Sequence, residues 1–214
     1  MILPFFVLLL LLLLWRYKKI AQIRKADSDS FWEKERIANT TLAQDITNLD
    51  YITIPIAKFP LNFSEEEDIL ALENELTELS DKKILNLTNV TNTELKTMYG
   101  VPNFETMQQI GENYDRLSVA LDKYGQALYS KGLIDSAISV LEFAVGTKTD
   151  ISNSYCLLAD CYKLKGQTSK LANLKTLVEN SNLMLKQKII DHIDEPYKDA
   201  TMDIPDSEGL VQNK

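Results

Sequence analysis

Leu121–Val145, LDKYGQALYSKGLIDSAISVLEFAV, and Tyr155–Glu179, YCLLADCYKLKGQTSKLANLKTLVE, lie over one another at an offset of 34 residues. In that register Gly125 falls on Ala159, Ala127 on Cys161, Leu128 on Tyr162, Gly132 on Gly166 and Ala144 on Val178. A period of this length with small residues at fixed offsets marks stacked helix–turn–helix units. In the first unit Leu117, Leu121, Tyr124 and Leu128 recur at helical spacing, and Gly132 is placed to end the helix in a left-handed cap. Ile134, Ala137, Ile138, Leu141 and Val145 mark the buried stripe of a second helix. Tyr155, Leu158, Ala159 and Tyr162, then Gly166, then Leu171, Leu174 and Val178 repeat the scheme. Small residues at Gly125, Ala159 and Ala137 let the backbones approach. One such hairpin cannot bury its own apolar face, so the pair is expected to stack.

Composition agrees with an all-α chain. Among 214 residues there are seven Gly and six Pro, with 45% apolar content. The two cysteines, Cys156 and Cys161, are five apart on one expected helix and point in different directions, so they read as buried small side chains of a reducing compartment and not as a disulfide. Charge is uneven. Residues 1–25 carry five of the 23 bases and no acid, so the rest of the chain sets 18 bases against all 31 acids, a net of −13. An acidic body argues against nucleic acid as a partner and leaves only the basic collar suited to an anionic lipid surface.

The repeat residues resemble the tetratricopeptide repeat family. Its pattern of a large residue, Leu-Gly, an aromatic, a turn Gly, an Ala, an aromatic and an Ala is answered by Leu121, Tyr124-Gly125, Leu128, Gly132, Ala137, Leu141 and Ala144, and then by Tyr155, Leu158-Ala159, Tyr162, Gly166, Leu171, Lys175 and Val178. Lys175 stands where an apolar residue belongs, which leaves Leu174 to take the core place; Leu171 replaces the usual Ala and Thr149 the usual unit-ending Pro. The resemblance implies a TPR-like α-α superhelix with units over 118–151 and 152–185. It also implies a concave groove lined by the first helix of each unit: Val119, Asp122, Gln126 and Tyr129, then Asn153, Cys156, Asp160 and Lys163. Asp122 and Cys156 sit where a basic carboxylate clamp would need lysine, so the implied ligand is a polar or basic peptide. Two further blocks, LDYITIP (49–55) and LTNVTNTELKTMYG (87–100), resemble segments of a group of uncharacterised membrane-anchored helical proteins, which implies no activity.

The chain starts MILPFFVLLLLLLLW, without a charged side chain before Arg16. As a helix this run is about 22 Å long, against a hydrocarbon core of ~30 Å. Snorkelling by Arg16, Lys18 and Lys19 and interfacial Trp15 and Tyr17 are expected to cover the difference. The bases follow the run, and Trp-Arg-Tyr-Lys-Lys is a poor cleavage site, so residues 1–20 read as an uncleaved single-pass signal anchor. The collar puts the N-terminus outside and the body in the cytosol at the cell membrane. Four Asn-x-Ser/Thr sequons, at Asn39, Asn62, Asn86 and Asn89, are read as chance matches in a chain rich in those residues.

Residues 21–112 read as a helical region capping the repeats. A capping box at Ser30–Glu33 predicts a helix to about Asn48, and DYITIPIAKFP (50–60), with two prolines, predicts an extended segment. A helix is expected over Ser64–Leu79, with Leu70, Leu72, Leu76 and Leu79 apolar. Its four leading carboxylates are explained by the helix N-terminus without a metal. A second capping box at Thr91–Glu94 opens a short helix, and Asn103 is placed to cap the next. A last helix is expected over Leu183–Ile193, and 195–214 reads as a disordered acidic tail.

No phosphate loop, nucleophile elbow, His-Glu-x-x-His or Cys-x-x-Cys occurs, and the single histidine, His192, does not converge with Asp191 on a helix. The expected function is therefore a membrane-anchored scaffold that holds a protein or peptide partner, with no catalytic residue, cofactor or metal. Its alternatives are a fixed structural subunit docking through 50–60, or an enzyme with an unrecognised site.

Overall fold

Residues 3–196 are described by the computed structural model. They form eight α-helices, α1 (Leu3–Ala38), α2 (Glu67–Ser80), α3 (Asn92–Tyr99), α4 (Phe104–Ser130), α5 (Ile134–Gly146), α6 (Ser152–Leu164), α7 (Thr168–Glu179) and α8 (Lys186–Asp194), with short 3-10 turns at Ile56–Lys58 and Val101–Asn103. There is no strand among them, so the chain is all-α. Contacts divide it into two compact units. One comprises the chain through Tyr51 and Lys83–Tyr114; the other comprises Ile52–Lys82 and the chain from Asp115 onward.

In the first unit α1 runs unbroken through the expected start at Ser30. The Ser30 hydroxyl donates to the Asp27 carbonyl (2.8 Å), and Glu33, the other half of the expected box, binds Arg36 (2.7 Å). With no Gly or Pro between Leu3 and Ala38 except Pro4 in the first turn, nothing interrupts the helix. It stops at Ala38, ten residues before the expected end. The Thr40 and Thr41 hydroxyls return to the Ile37 carbonyl (2.9 and 3.1 Å). α3 opens with a complete Thr91–Glu94 capping box. Asn103 does not cap α4; its amide donates to the Gln44 and Tyr99 carbonyls (both 2.8 Å). The core of this unit is Leu95, Met107 and Ile110, ringed by Ile46, Leu49, Leu85, Leu87 and Phe104. Gly100, at φ +85°, lets the Leu42 backbone cross directly over it.

No helix among the described residues is long and apolar enough to cross a membrane, which corrects the expected single-pass span. The reason is local. In α1 the uninterrupted apolar run is Leu3–Trp15, about 20 Å, before Arg16, Lys18 and Lys19 end it. Leu10, Leu12, Leu13, Leu14 and Trp15 are each half exposed or more, so nothing in the chain covers this end.

In the second unit α4 and α5 form one hairpin, and α6 and α7 form another. Both turns are the same motif. At Gly132 (φ +74°) the Leu133 and Gly132 amides donate to the Leu128 and Tyr129 carbonyls, each at 2.9 Å. At Gly166 (φ +64°) Gln167 and Gly166 donate to Tyr162 and Lys163 at 2.9 and 3.1 Å. This is a Schellman cap repeated at the 34-residue offset. Gly125 abuts Leu141 so closely that a Cβ there would meet its Cδ2 at 2.6 Å. Leu174, not Lys175, is buried in α7, and Lys175 reaches Asp194 of α8 (2.6 Å). Ile52–Lys82 packs into this unit. Phe59 stands edge-on to Phe143 (5.8 Å), and Ile69, Leu76 and Leu79 bury α2, with Ile69 taking the place expected of Leu70.

Candidate functional site

The residues implied to line a peptide groove are mostly spent on joining one hairpin to the next. Asp122, on α4, is buried. Its carboxylate accepts from Gln126 Nε2 (2.7 Å), Asn153 Nδ2 (3.0 Å) and the Ser154 hydroxyl (2.8 Å). Ser154 is fully buried on α6, so this carboxylate is the polar joint between the first helices of the two hairpins. A buried carboxylate is tolerable only with several donors, and Asp122 has three.

The same joint recurs one step on. Asp160, on α6, binds His192 Nε2 of α8 at 2.9 Å. The sequence separation is 32 in both Asp122–Ser154 and Asp160–His192. Lys163 completes the second joint. Its ammonium donates to the His192 and Glu195 carbonyls (2.6 and 2.7 Å), at the C-terminal end of α8 where a cation is favoured. α8 thus stands to α6 as α6 stands to α4, a half-unit that ends the stack. Its buried side chains are Ile189 and Ile193.

Of the remaining groove candidates, Tyr129 is half-buried and Val119 is 45% exposed. Val119 opens onto a groove of ≈ 820 Å³ between α2 and α4, with Leu72 and Ala120 on its floor and Asp68, Glu75 and Arg116 at its edge. Arg116 is held there by Glu75 (2.8 Å) and Glu78 (3.6 Å). Cys156 is half-buried, and burial, then the charge of Asp160, raises its thiol above the ordinary range. Burial pushes Cys161 up to about 12. Both thiols are free, and both are unreactive by environment.

The segment 50–60 is not laid out for docking. Ile54 and Phe59 are buried, and the Pro60 carbonyl accepts from the Tyr124 hydroxyl (2.9 Å). Tyr124 also donates to Glu73 (3.1 Å), whose other oxygen takes the Asn62 amide (2.9 Å). Burial beside that carboxylate raises the Tyr124 phenol well above its usual value. These partners, like Ser154 and His192, were missed in the sequence reading. The one signal that could have found the joints is the recurrence of an acid with a polar partner 32 residues on. No group of three His, Cys, Asp or Glu side chains among the described residues is placed to hold a metal ion.

No protein-family model, curated protein or solved structure matches this chain.

Proposed function

We propose that this protein is a membrane-attached, TPR-like helical adaptor that holds a protein partner at the cytosolic face. The observation that carries the reading is the pairing of two features: an uncovered apolar end on α1 followed by basic residues, and a second unit built of two stacked hairpins with the same cap and the same polar joint. Lipid is the environment that satisfies Leu3–Trp15, entered to the depth that a run of about 20 Å allows. The basic collar then lies at the lipid headgroups on the cytosolic side, and the acidic body is kept off an anionic surface. Stacked hairpins supply a rigid surface without a reaction centre.

Because Asp122, Asn153, Asp160 and Lys163 are engaged in joints, the partner is assigned to the open groove beside Val119. Its apolar floor and mixed-charge edge suit an amphipathic segment. Two measurements test the proposal. Alkaline carbonate should leave the full chain in the membrane pellet and release a variant lacking residues 1–15. Quantitative cross-linking in intact membranes should lose its main protein partner in Val119→Glu, an exposed change that leaves the thermal midpoint unaltered. Release of the full chain by carbonate would overturn the attachment, and an unchanged partner set in the variant would overturn the groove.

A further inference from the structure

The face of α1 that packs on α3 does not end where α3 does. Ala38 is fully buried there, and Glu35, on the same face, takes the Thr93 hydroxyl and lies 3.8 Å from Lys96. Counting back by sevens from Ala38 gives Phe31, Arg24 and Tyr17. Seven residues turn an α-helix by 700°, so successive members of this line drift by only about 20°. Ile20 lies beside it. Yet Tyr17 is 73% exposed, Phe31 52%, its T-stacked neighbour Trp32 65% and Ile20 49%. The same line that is sealed at its C-terminal end is open over the preceding three turns and more. A long aromatic-bearing face left open beside a sealed one is what a missing helix leaves behind.

We propose that this open line is the docking seam for the juxtamembrane helix of a different membrane protein, which continues along α1 the packing that α3 begins. The inference rests on membrane attachment through Leu3–Trp15. Geometry then excludes lipid as the cover for the far end. α1 is continuous, so Phe31 stands about 24 Å along the helix from Trp15 and is carried away from the membrane surface. Asp27, Asp29 and Glu33 around it are unsuited to an anionic surface. Charge identifies the occupant. Lys18, Arg24 and Lys25 flank the seam, and no acid lies between Arg16 and Ala26. The partner helix therefore carries a carboxylate facing Arg24 and apolar residues about one heptad to either side, facing Tyr17 and Phe31. A second copy of this chain in parallel would oppose Arg24 to Arg24 and is disfavoured.

The test uses the full chain in its own membranes. A photoreactive residue replaces Ser28, on the seam side, or Ser30, on the far side of the helix. The cross-linked peptides are sequenced by mass spectrometry. The expected result is a protein adduct from position 28 and little from 30. The adduct should map within about 20 residues of a partner's apolar span and contain an Asp or Glu. Arg24→Glu should lower its yield about tenfold, and reversing the partner's acid to Lys should restore it. Equal yields from both positions, adducts only with lipid, adducts with a second copy, or a yield indifferent to Arg24→Glu would each overturn the seam. If carbonate strips the full chain from the membrane, the attachment fails; if the chain stays and the cross-links show no face preference, the seam alone fails.

Discussion

Replacing Gly125 with alanine separates the close-approach argument from ordinary helix chemistry, because the two have opposite signs. In an unencumbered helix interior, Gly→Ala stabilises by about 0.8–1.0 kcal/mol. At position 125 the new Cβ would stand 2.6 Å from Leu141 Cδ2 and 2.8 Å from its Cγ. Leu141 is fully buried on α5 and has no free rotamer to retreat into. Overpacking of this kind costs about 1–3 kcal/mol, so the net change in the wild-type background is a loss of about 0–2 kcal/mol. Leu141→Ala alone should cost about 2–5 kcal/mol. In that shortened background the clash is gone and Gly125→Ala should turn stabilising by about 1 kcal/mol. The double-mutant cycle therefore carries a coupling of about 1–3 kcal/mol. The assay is urea unfolding of the full chain in detergent followed by far-UV circular dichroism. Tryptophan fluorescence is unsuitable because Trp15 and Trp32 both lie on α1 and report nothing of the hairpin. If Gly125→Ala stabilises the wild-type protein as much as it stabilises Leu141→Ala, the helices are not in contact through Gly125 and the stacked-hairpin account is wrong.

Three other outcomes follow from the geometry. Asp122→Ala removes the acceptor shared by Asn153 and the buried Ser154; urea unfolding should show a loss of about 1.5–3 kcal/mol, and an effect near zero would mean that the joint is ornamental. Gly100→Ala places a Cβ 2.2 Å from the Leu42 carbonyl oxygen at a φ of +85°; a loss of about 2–3 kcal/mol or more is expected, read as a lowered melting midpoint, and a neutral variant would show that Leu42 does not cross there. For pH, Cys161 is pushed up to about 12, and the Tyr124 and Tyr162 phenols are raised in the same way, in each case chiefly by burial. The unfolded thiol titrates at roughly 8.5, so above that pH the unfolded chain loses protons that the fold keeps. The stability is thus fully present below about pH 8 and falls as pH rises towards 12, by roughly 1–2 kcal/mol between pH 8 and 10. Cys161→Ala should flatten that decline, and a flat profile in the parent protein would contradict the burial.

The repeat was legible because its marks are local and chemically forced. Gly132 and Gly166 sit at left-handed positions that other residues take at a cost, and the Thr91–Glu94 box closes within one turn. Ser30–Glu33 carries the same letters and forms no box, because Arg36 is a stronger partner for Glu33 than a backbone amide inside a continuing helix. The place of Ile52–Lys82 was not legible. Its ties run from Phe59 to Phe143 and from Pro60 to Tyr124, across separations that no local pattern encodes. The groove residues lay between these cases. Spacing placed Asp122, Asn153, Asp160 and Lys163 on the right helices, but only the structure pairs them with Ser154 and His192 and so withdraws them from solvent.

That withdrawal bears on how such a small stack could hold a partner. A polar joint at each step fixes the register between first helices, since a buried carboxylate without its donors is strongly unfavourable. It also removes the charged side chains that could have gripped a peptide across the concave side. What remains available on the second unit is an apolar groove with a mixed edge beside Val119, and two and a half units offer little area, so the intrinsic affinity should be low. Attachment changes that arithmetic. Holding adaptor and partner at one membrane replaces a dilute bimolecular encounter with an effective concentration that can reach the millimolar range, enough for a weak groove to be occupied. On this reasoning deletion of residues 1–15 should abolish partner capture as completely as Val119→Glu, although it touches no residue of the groove. A shortened chain that still captured its partner undiminished would show that the groove is strong by itself, and the low-affinity premise would fall.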